Sequence, residues 1–538
     1  MKHNFTLPSL QRTFSSISFS YLLFIVTIFP LHINLTSGYS TIDQDKIMLH
    51  LTGSIVFYVL FMAIFLFSIF FIPSGERVSF RLSSYLKKLI PSLSSTDYWV
   101  LLYTLSVCFS YLFSRYKERA LIGADGWYMG LFFQLSLTGL YFIASRFLDQ
   151  KQIQCLIYTM LSVSTLIFLL AVLNRYNINP LGIPMVDPVF VSTLGNIDWI
   201  GGYWSVVFPI TLSLLVFYTP GKKENSFLSL LHWSLPYLGV MFGFILSLTL
   251  GADDVLMTLF FLILFIGPSV VKKNIYIKNY IELLFLFCII FLPIRISHEF
   301  FNPPNNYPTT ILSWLCTTPI YWGILILTVF INFSMSNKQI KNFIYSFFKL
   351  FFRYSGKIII ALLLFYLLIL VLSTISPDTI QSLPYSSFFT FSDTWGNMRG
   401  ITMRIGMTAW WDQNIIHKLF GIGPDAMSFY LYDKNNISLY HDLRQSFQER
   451  VLSNSHCDYI TVLANLGIWG LISYIGLLFH SISLFLQNDT PMLRALGFSV
   501  FAYMVYNIFS FQQVYNVTHL FIILGVGSSL IRKKQECS

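Results

Sequence analysis

Charged side chains are scarce in this chain. Aspartate, glutamate, lysine and arginine make up 11% of the 538 residues, whereas 55% are hydrophobic. Soluble domains carry about 25% charged residues, so this chain has too little charge to cover a water-exposed surface. The formal net charge of +10 follows the distribution of loops in a membrane protein and does not indicate a nucleic-acid partner. The composition therefore excludes a soluble protein and predicts a polytopic membrane protein.

Paired cysteines and the common nucleotide and metal motifs are also missing. The six cysteines form no CxxC or zinc-ligand spacing. No GxxxxGK[ST], HExxH or GxSxG sequence occurs, which excludes a P-loop ATPase and predicts no metal and no cofactor. A reaction without these groups needs a substrate that arrives already activated. Membranes offer one such class, the lipid-linked diphosphates.

Apolar runs of about twenty residues, the length that a bilayer core requires, recur along the chain. They predict an all-α polytopic membrane protein with about fourteen transmembrane helices. The first run lacks a small-residue cleavage site after it and is interpreted as a retained helix. The predicted spans are 17–34, 47–72, 97–114, 127–146, 153–173, 199–218, 231–250, 252–269, 279–295, 310–333, 356–374, 462–486, 492–509 and 513–531.

Lysines and arginines alternate between loops as the positive-inside rule requires. With the N-terminus inside, roughly two thirds of the 34 lysines and arginines lie in cytoplasmic segments. This predicts that both termini are cytoplasmic. The chain then divides into helices 1–11 over residues 1–374, a large extracytoplasmic loop over 375–461, and helices 12–14 with a cytoplasmic tail over 462–538. A short surface turn, GADD, is predicted between the seventh and eighth spans because two acids are costly in hydrocarbon.

The large loop holds most of the polar and turn-forming residues that a site needs. RGITMRIGMTAWWDQNIIHKLF has apolar residues at helical spacing and predicts one helix. GIGPD then ends it, with Gly421 near the C-cap and Pro424 just beyond. The loop closes with SNSHCDYITVLANLGIWG, in which His456 and Asp458 precede a Gly-containing apolar helix. Loops of this length are usually functional.

The order and spacing of these segments resemble the O-antigen ligase and polymerase superfamily of bacterial membrane proteins. The resemblance rests on RGITMR, KLFGIGPD and SNSHCDYITVLANLG, with ALIGADGWYMGL and GNIDWIGGYWSVVFPI earlier, and covers most of the chain from about residue 97. Three positions depart from the family's pattern. Cys457 follows the histidine in place of Asn, Met403 stands where a tryptophan often follows the arginine, and GADD replaces a Ser-Arg pair.

This resemblance implies a GT-C-like membrane glycosyltransferase. Such an enzyme moves a glycan from a polyprenyl (undecaprenyl) diphosphate carrier to an acceptor on the outer face of the bacterial cytoplasmic membrane. The acceptor is a lipid, another carrier-linked glycan or a protein, so ligase and polymerase activities both remain open. The expected partners are the lipid-linked donor, the acceptor and the bilayer.

The candidate site residues follow from this chemistry. His456 is the candidate general base, because a histidine with an ordinary pKa near ~6.5 can take a hydroxyl proton. Arg399 and Arg404 are candidates for binding the diphosphate, since the planar guanidinium fits phosphate oxygens. Five residues apart on a helix, the two arginines point in different directions. The structural alternative for them is an ion pair with Asp393 or Asp412.

Three further residues complete the set of substrate-binding candidates. Arg115 and Arg119 lie in an outer loop, against the general bias, and are candidates to hold the diphosphate from the opposite wall. Their structural alternative is pairing with nearby acids or lipid headgroups. Asp458 is a candidate to orient the histidine or to bind a cation. Asn196 and Asp198 begin an apolar helix and are candidates to cap it, with ligand binding as the alternative role for both.

Two other functions remain open from the sequence. A transporter or flippase of lipid-linked oligosaccharides should carry ionisable residues and broken helices near mid-bilayer. A scaffold for cell-surface polysaccharide assembly should tolerate substitution of His456 or Arg399. The clustering of charge in the predicted outer loop favours the enzyme.

Overall fold

The structure is a computed structural model that describes residues 7–70, 92–184, 189–217, 227–301, 310–376, 389–433, 443, 447 and 451–537. It is 80% helical, with a single two-stranded antiparallel pair, β1 (Phe190–Val191) and β2 (Gly195–Asn196), among these residues. The helices are α1 (Leu7–Leu31), α2 (Ile42–Phe70), α3 (Ser95–Phe113), α4 (Lys117–Ile122), α5 (Leu131–Arg146), α6 (Gln150–Arg175), α7 (Ile197–Val216), α8 (Phe227–Thr249), α9 (Asp253–Val270), α10 (Asn274–Phe301), α11 (Thr310–Thr317), α12 (Ile320–Ser334), α13 (Lys338–Ile375), α14 (Trp395–Trp411), α15 (Ile415–Phe420), α16 (Met427–Leu431), α17 (Asp458–Leu486), α18 (Pro491–Tyr506) and α19 (Val514–Cys537).

Long apolar helices confirm the predicted class, an all-α polytopic membrane protein. Within the described ranges, nine helices are long and apolar enough to cross a membrane, namely α1, α2, α6, α7, α9, α10, α13, α17 and α19. Two shorter apolar helices lie within α8 and α12. The number of fourteen spans remains a prediction.

Several helices begin where the sequence supplies a capping side chain. The Ser94 side chain accepts a hydrogen bond from the Asp97 amide and opens α3, and Asp149 caps α6 through the Gln152 amide. Asn196 caps α7 by accepting from the Asp198 amide at 2.8 Å, as predicted. These bonds satisfy amides that an α-helix leaves unpaired in its first turn.

The predicted span at 310–333 is two helices, which corrects the single-helix prediction. The chain breaks at Thr318 and Pro319, because proline has no amide hydrogen to continue the helix. Arg295 compensates for the break, since its guanidinium donates to the Leu315 carbonyl at 2.8 Å and the Thr318 carbonyl at 2.9 Å. A second helix boundary also differs from the prediction. Helix α13 begins at Lys338, well before residue 356, the predicted start of its span.

Two central helices organise the main hydrophobic core. Most residues of α7 are buried, and the membrane-spanning part of α19 is buried to a similar degree. Helix α7 packs against α18, and α19 packs against both α5 and α7. Helix α13, by contrast, exposes most of its apolar side chains, as expected of a helix that contacts lipid.

A second, smaller core belongs to the segment between α13 and α17. We call its described residues, 389–433, 443, 447 and 451–457, the cap. Apolar side chains of α14 and α16, with Ile422 between them, pack together with Ala120 of α4 and Ala464 of α17. The cap therefore contains helices of its own, as predicted, and rests on the ends of the helices beneath it.

The predicted single helix of the cap is wrong in one respect. Helix α14 ends at Trp411, and α15 starts afresh after Asn414. The Asn414 side chain accepts from the His417 amide at 3.0 Å, which caps the new helix and explains the break. Gly421 is the C-cap of α15, with φ of 84°, as the GIGPD pattern predicts.

Helix α17 contains a backbone break at Gly467, and the turn at residues 421–423 packs against this break. Gly467 adopts φ of 70° inside the helix, a left-handed conformation that favours glycine. The carbonyl of Ala464 accepts from the Ile422 amide at 3.1 Å, and that of Asn465 accepts from the Gly423 amide at 3.0 Å. The main chain of the cap is thereby joined to the main chain of a membrane helix.

Polar contacts join helices at the end remote from the cap. Arg146 of α5 donates to Asp97 of α3 at 2.6 Å, and both side chains are almost fully buried. Arg532 of α19 lies 3.9 Å from the same carboxylate. This buried ion pair ties together three helices that the central core also brings into contact.

Breaking this pair should destabilise the protein strongly. We expect Asp97→Ala to lower the free energy of unfolding by about 3–5 kcal/mol, because it leaves the buried Arg146 charge without its partner. Thermal unfolding of the purified protein in detergent measures the change. The control is Lys278→Ala, which removes an exposed pair with Glu282 at 3.3 Å and should cost about 0–1 kcal/mol. Equal losses in the two variants would contradict the assignment.

Candidate functional site

The turn before α17 is held in place from two sides. The Ser455 carbonyl accepts from Thr402 Oγ1 of α14 at 2.9 Å, and the Ser455 amide donates to Thr461 Oγ1 of α17 at 3.0 Å. The Asn454 side chain accepts from the His456 amide at 3.0 Å. These bonds fix the backbone on which His456 is presented between the cap and the membrane helices.

His456 is in a strained and largely buried position. Its φ is 49°, a left-handed value that is uncommon for a residue with a side chain. The ring meets Phe511 edge to face at 5.3 Å between centroids. Its Nδ1 atom is buried and has no hydrogen-bond partner among the described residues. Strain of this kind persists only where the surroundings impose it, and it is frequent at functional sites.

Burial is the main influence on the protonation of His456. It lowers the pKa of the imidazole below its ordinary value, the Asp198 carboxylate acts in the opposite direction, and the Arg399 charge lowers the pKa further. Desolvation disfavours the charged imidazolium. The histidine is therefore kept neutral at physiological pH, in the form that can accept a proton.

Arg399 reaches the same region from the first turns of α14. Its Nε donates to the Phe509 carbonyl at 2.8 Å, and its Nη1 donates to the Gly396 carbonyl at 3.3 Å. Its Nη2 lies 3.5 Å from Asp254 Oδ2. A guanidinium has five N–H groups, so these contacts leave part of its donor capacity unused. The adjacent Met398 has φ of 68°, so the arginine also stands on strained backbone.

The GADD turn contributes an unexpected partner. A turn does separate α8 from α9, but Asp254 is 3% exposed, so its carboxylate is not at the surface as predicted. The ion pair with Arg399 accounts for this burial, since a buried carboxylate needs a nearby positive charge. Asp198 of α7 also interacts electrostatically with Asp254 and with His456. Two carboxylates, one guanidinium and one imidazole thus meet in one region.

A small cavity, with a free volume of about 50 Å³, lies beside Phe511. Its walls combine apolar and aromatic side chains with a few polar ones, the usual make-up of a ligand pocket. The lining residues come from α3, α5, the loop before α5, the cap, α17 and the loop before α19, and include Tyr103, Trp127, Gln134, Asn454, Asp458 and Gln512.

Asp458 lines this cavity and is held by three hydrogen bonds. Its Oδ2 accepts from the Tyr474 hydroxyl at 2.5 Å, its Oδ1 accepts from the Gln512 amide at 3.2 Å, and its own amide donates to the Asn507 carbonyl at 3.0 Å. The residue thus joins α17 to the loop after α18. Both carboxylate oxygens are engaged within the protein.

The remaining predicted arginines lie elsewhere, Arg404 on the cap and Arg115 and Arg119 in or next to α4. Arg404 forms a two-pronged pair with Asp393, at 2.9 Å for each contact, and both side chains are about half exposed. This is the structural alternative that the sequence left open. Arg115 and Arg119 are exposed, and the Arg119 guanidinium lies 5.6 Å from the centre of the Phe429 ring. Binding roles for these three arginines stay predictions.

Other titratable residues of the large loop also have contacts within the protein. Both ring nitrogens of His417 are engaged, with Asn414 Oδ1 at 2.9 Å and the Phe113 carbonyl at 3.1 Å. His441 lies outside the described residues. Asp425 accepts from the amides of Ala124 and Met129 at 2.8 and 3.0 Å. Within the described ranges, no three His, Cys, Asp or Glu side chains are grouped as metal ligands.

The sequence interpretation missed the short loop between α18 and α19. The Phe509 carbonyl accepts from Arg399, and the Phe511 ring contacts the His456 ring. The Gln512 amide donates to Asp458. The available signal was SFQQ, two glutamines between two apolar runs. Their polarity is unusual in such a short connection, and it marks the loop as part of a polar site.

Asp425 provides a pH-dependent stability that can be measured. Burial raises its pKa from an ordinary 3.8 to about 7, so folding favours the protonated form. Ionised Asp425 therefore costs stability, and this cost grows as pH rises from about 4 and becomes constant above about 7.

We expect Asp425→Asn to remove this cost while keeping an oxygen acceptor for the two amides. The melting temperature of the variant should exceed that of wild type by a margin that widens between pH 5 and pH 7. The control is Asp412→Asn, which replaces an exposed cap carboxylate and should show no such widening. A constant margin at all pH values would contradict the assignment.

No protein-family model matches the chain, and no curated protein or solved structure is similar enough to count as a match. The functional argument therefore depends on the chemistry of the site.

Proposed function

We propose that this protein is a membrane glycosyltransferase that moves a glycan from a polyprenyl diphosphate carrier to an acceptor hydroxyl. The main observation in support is the convergence of His456 and Arg399, 57 positions apart in the sequence, beside the Asp198 and Asp254 carboxylates. A neutral base and a cation in one sheltered polar region are the two groups that this reaction needs.

In the proposed reaction, the acceptor hydroxyl attacks the anomeric carbon of the donor sugar. His456 takes the hydroxyl proton as the new carbon–oxygen bond forms. The bond between the anomeric carbon and the diphosphate oxygen breaks, and the polyprenyl diphosphate leaves with the electron pair. Arg399 stabilises the negative charge that develops on this leaving group, usually a large contribution to catalysis. Asp198 stabilises the imidazolium that proton transfer creates.

The proposed topology has fourteen spans, with the cap on the extracytoplasmic side of a bacterial cytoplasmic membrane. Two observations support it. The charge bias assigns the loops around Asp198, Asp254, Arg399 and Phe511 to one side of the membrane. These loops contact one another. The remote group of Asp97, Arg146 and Arg532 falls at helix ends that the same bias assigns to the cytoplasm.

Transfer activity tests the proposal directly. In cells that lack the protein, wild type should restore surface polymer. His456→Ala should reduce the transfer rate roughly 100- to 10,000-fold through loss of the base, and Arg399→Ala roughly 100- to 1,000-fold through loss of charge stabilisation. Glycan-loaded carrier should accumulate in both variants. The readouts are surface polymer and lipid-linked glycan, at matched membrane expression.

Two further variants sharpen this test. Arg353→Ala removes an exposed cation of α13 and should leave transfer unchanged. Arg404→Ala tests which arginine of α14 binds the diphosphate. If transfer falls in Arg404→Ala but not in Arg399→Ala, the diphosphate binds on the other face of this helix. Full polymer in all variants would refute the proposed site.

The pH profile of transfer tests the protonation state of His456. Activity should fall on the acidic side, below the ordinary histidine pKa near ~6.5, because only the neutral imidazole accepts a proton. Asp198 raises the pKa of His456, so Asp198→Asn should move this fall to still lower pH, by up to about one unit. Asp412→Asn serves as the control and should leave the profile in place. A shift to higher pH in Asp198→Asn would contradict the assigned interaction.

One observation favours a second candidate, a transporter of lipid-linked glycans. His50 of α2 and His519 of α19 are fully buried, and each has a ring nitrogen without a partner among the described residues. Ionisable residues inside membrane helices often mark transport pathways. If His50→Gln abolishes polymer and His456→Ala does not, the transporter becomes the better explanation.

A further inference from the structure

The corner where α14 meets α15 carries large apolar side chains on its surface. Trp411, Ile415 and Ile416 are 65%, 69% and 47% exposed, and we call these three side chains the corner patch. The sequence interpretation places this corner in a loop outside the membrane. Large apolar side chains grouped on a protein surface mark contact with a membrane or with another protein. The corner patch therefore needs a partner that covers it.

Hydrogen bonds hold the corner in one shape. Trp410 Nε1 donates to the Lys418 carbonyl at 3.1 Å, which joins the last turn of α14 to α15. His417 is the buried residue of α15, and its Nε2 atom lies 3.1 Å from the Phe113 carbonyl at the end of α3. Because His417 faces the protein, the two isoleucines before it are held outward.

The exposed surface of α3 continues from this corner. Phe420, the last residue of α15, stacks on Phe113 at 5.0 Å between ring centroids and lies 5.7 Å from Phe109. Helix α3 packs against α5 and α17. Its exposed large apolar side chains recur at helical spacing and thus share one face, which in a membrane protein is turned to lipid. They include Leu102, Leu105, Phe109, Leu112 and Phe113.

Helix α17 shows the height of α15 relative to the membrane. Helix α17 is long and apolar enough to cross a membrane, and its break at Gly467 lies directly against the Leu419 carbonyl of α15. Trp469 and Ile472, just beyond this break, are 54% and 52% exposed. Helix α15 therefore lies beside the end of a membrane-spanning segment, at the boundary where tryptophan is enriched in membrane proteins.

The chemistry of the corner suits a lipid surface. The Lys418 ammonium lies 4.9 Å from the centre of the Trp411 ring. A lysine can bury its apolar stem while its ammonium stays among polar headgroups, and tryptophan prefers the same boundary. A bilayer offers acyl carbons to the corner patch and headgroup phosphates to the ammonium. Continuity with the lipid-facing side of α3 favours the bilayer over a protein partner.

We propose that the corner patch inserts into the bilayer surface on the side of the cap and anchors the cap there. Part of the segment that the sequence places outside the membrane thus lies in the membrane boundary. Helix α14 carries Arg399 near one end and Trp411 at the other, so the anchor holds the far end of the helix that bears the arginine. The anchor is independent of the reaction that the site performs.

Photocrosslinking identifies the partner of the corner patch. The full-length protein carries p-benzoylphenylalanine in place of Ile415 or Ile416, and it is irradiated in native membrane vesicles. Mass spectrometry should find lipid adducts at both positions. The same label in place of Leu105, on the lipid-facing side of α3, is the positive reference. The matched control is Val451, a cap residue outside the patch that is 65% exposed and should yield no lipid adduct.

Hydrogen–deuterium exchange in lipid nanodiscs gives a second measurement. In the double variant Ile415→Ser and Ile416→Ser, the α15 amides should exchange roughly 10-fold faster or more, because two large apolar side chains lose their burial in lipid. Val451→Ser should leave this exchange unchanged. If the isoleucines face water, their replacement by serine removes no burial and the exchange rate stays the same.

Three results would overturn the anchor. The first is an absence of lipid adducts at positions 415 and 416 while position 105 gives them. The second is a covalent dimer or an adduct with another protein as the main product, which would assign the patch to a protein interface. The third is unchanged exchange in the double serine variant. None of these results depends on transfer activity, so they leave the test of His456 and Arg399 separate.

Discussion

The arrangement of the site depends on a main-chain contact between the cap and α17. A membrane helix that breaks must find partners for the backbone groups that the break releases. In α17 the break at Gly467 is compensated by the turn at residues 421–423, whose amides donate to the carbonyls of Ala464 and Asn465. A Cβ atom at Gly467 would overlap the Leu419 carbonyl, and one at Gly421 would overlap the Asn465 carbonyl. The two glycines therefore allow the close approach that positions the cap.

This contact fixes the cap relative to the helix that follows His456. Thr402 of α14 and Thr461 of α17 bind Ser455 from opposite sides, so the histidine stands at the junction of cap and membrane domain. Arg399 is held similarly, through the carbonyl of Phe509 in another loop. His456 itself has a left-handed backbone conformation, and so does Met398, the residue before Arg399. The cost of this strain is offset by surrounding contacts, which is the usual situation at a functional site.

Charge balance distinguishes this site from a simple anion-binding surface. Arg399 is paired at 3.5 Å with Asp254, and Asp198 acts on both Asp254 and His456. At this separation the carboxylate orients the guanidinium without using all of its five N–H groups. An aromatic row runs from Phe511 through Trp127 and Trp199 to Tyr515 beside this region.

The sequence by itself determined the helical membrane class, the Asn196 cap of α7, the end of α15 at Gly421 and the location of His456 just before a long helix. These features depend on hydrophobic runs, capping side chains and glycines, which act on neighbours within a few residues. Local signals also gave wrong helix boundaries. Asn414 starts a new helix, and Pro319 interrupts one, inside sequence runs that look like continuous helices. Only the tertiary structure decided that Arg399 meets Asp254, 145 positions earlier in the chain, and that Arg404 turns to Asp393. Only packing brought the loop before α19 to His456. Contacts of this range depend on which helices lie side by side, and a linear pattern does not encode that choice in any single stretch.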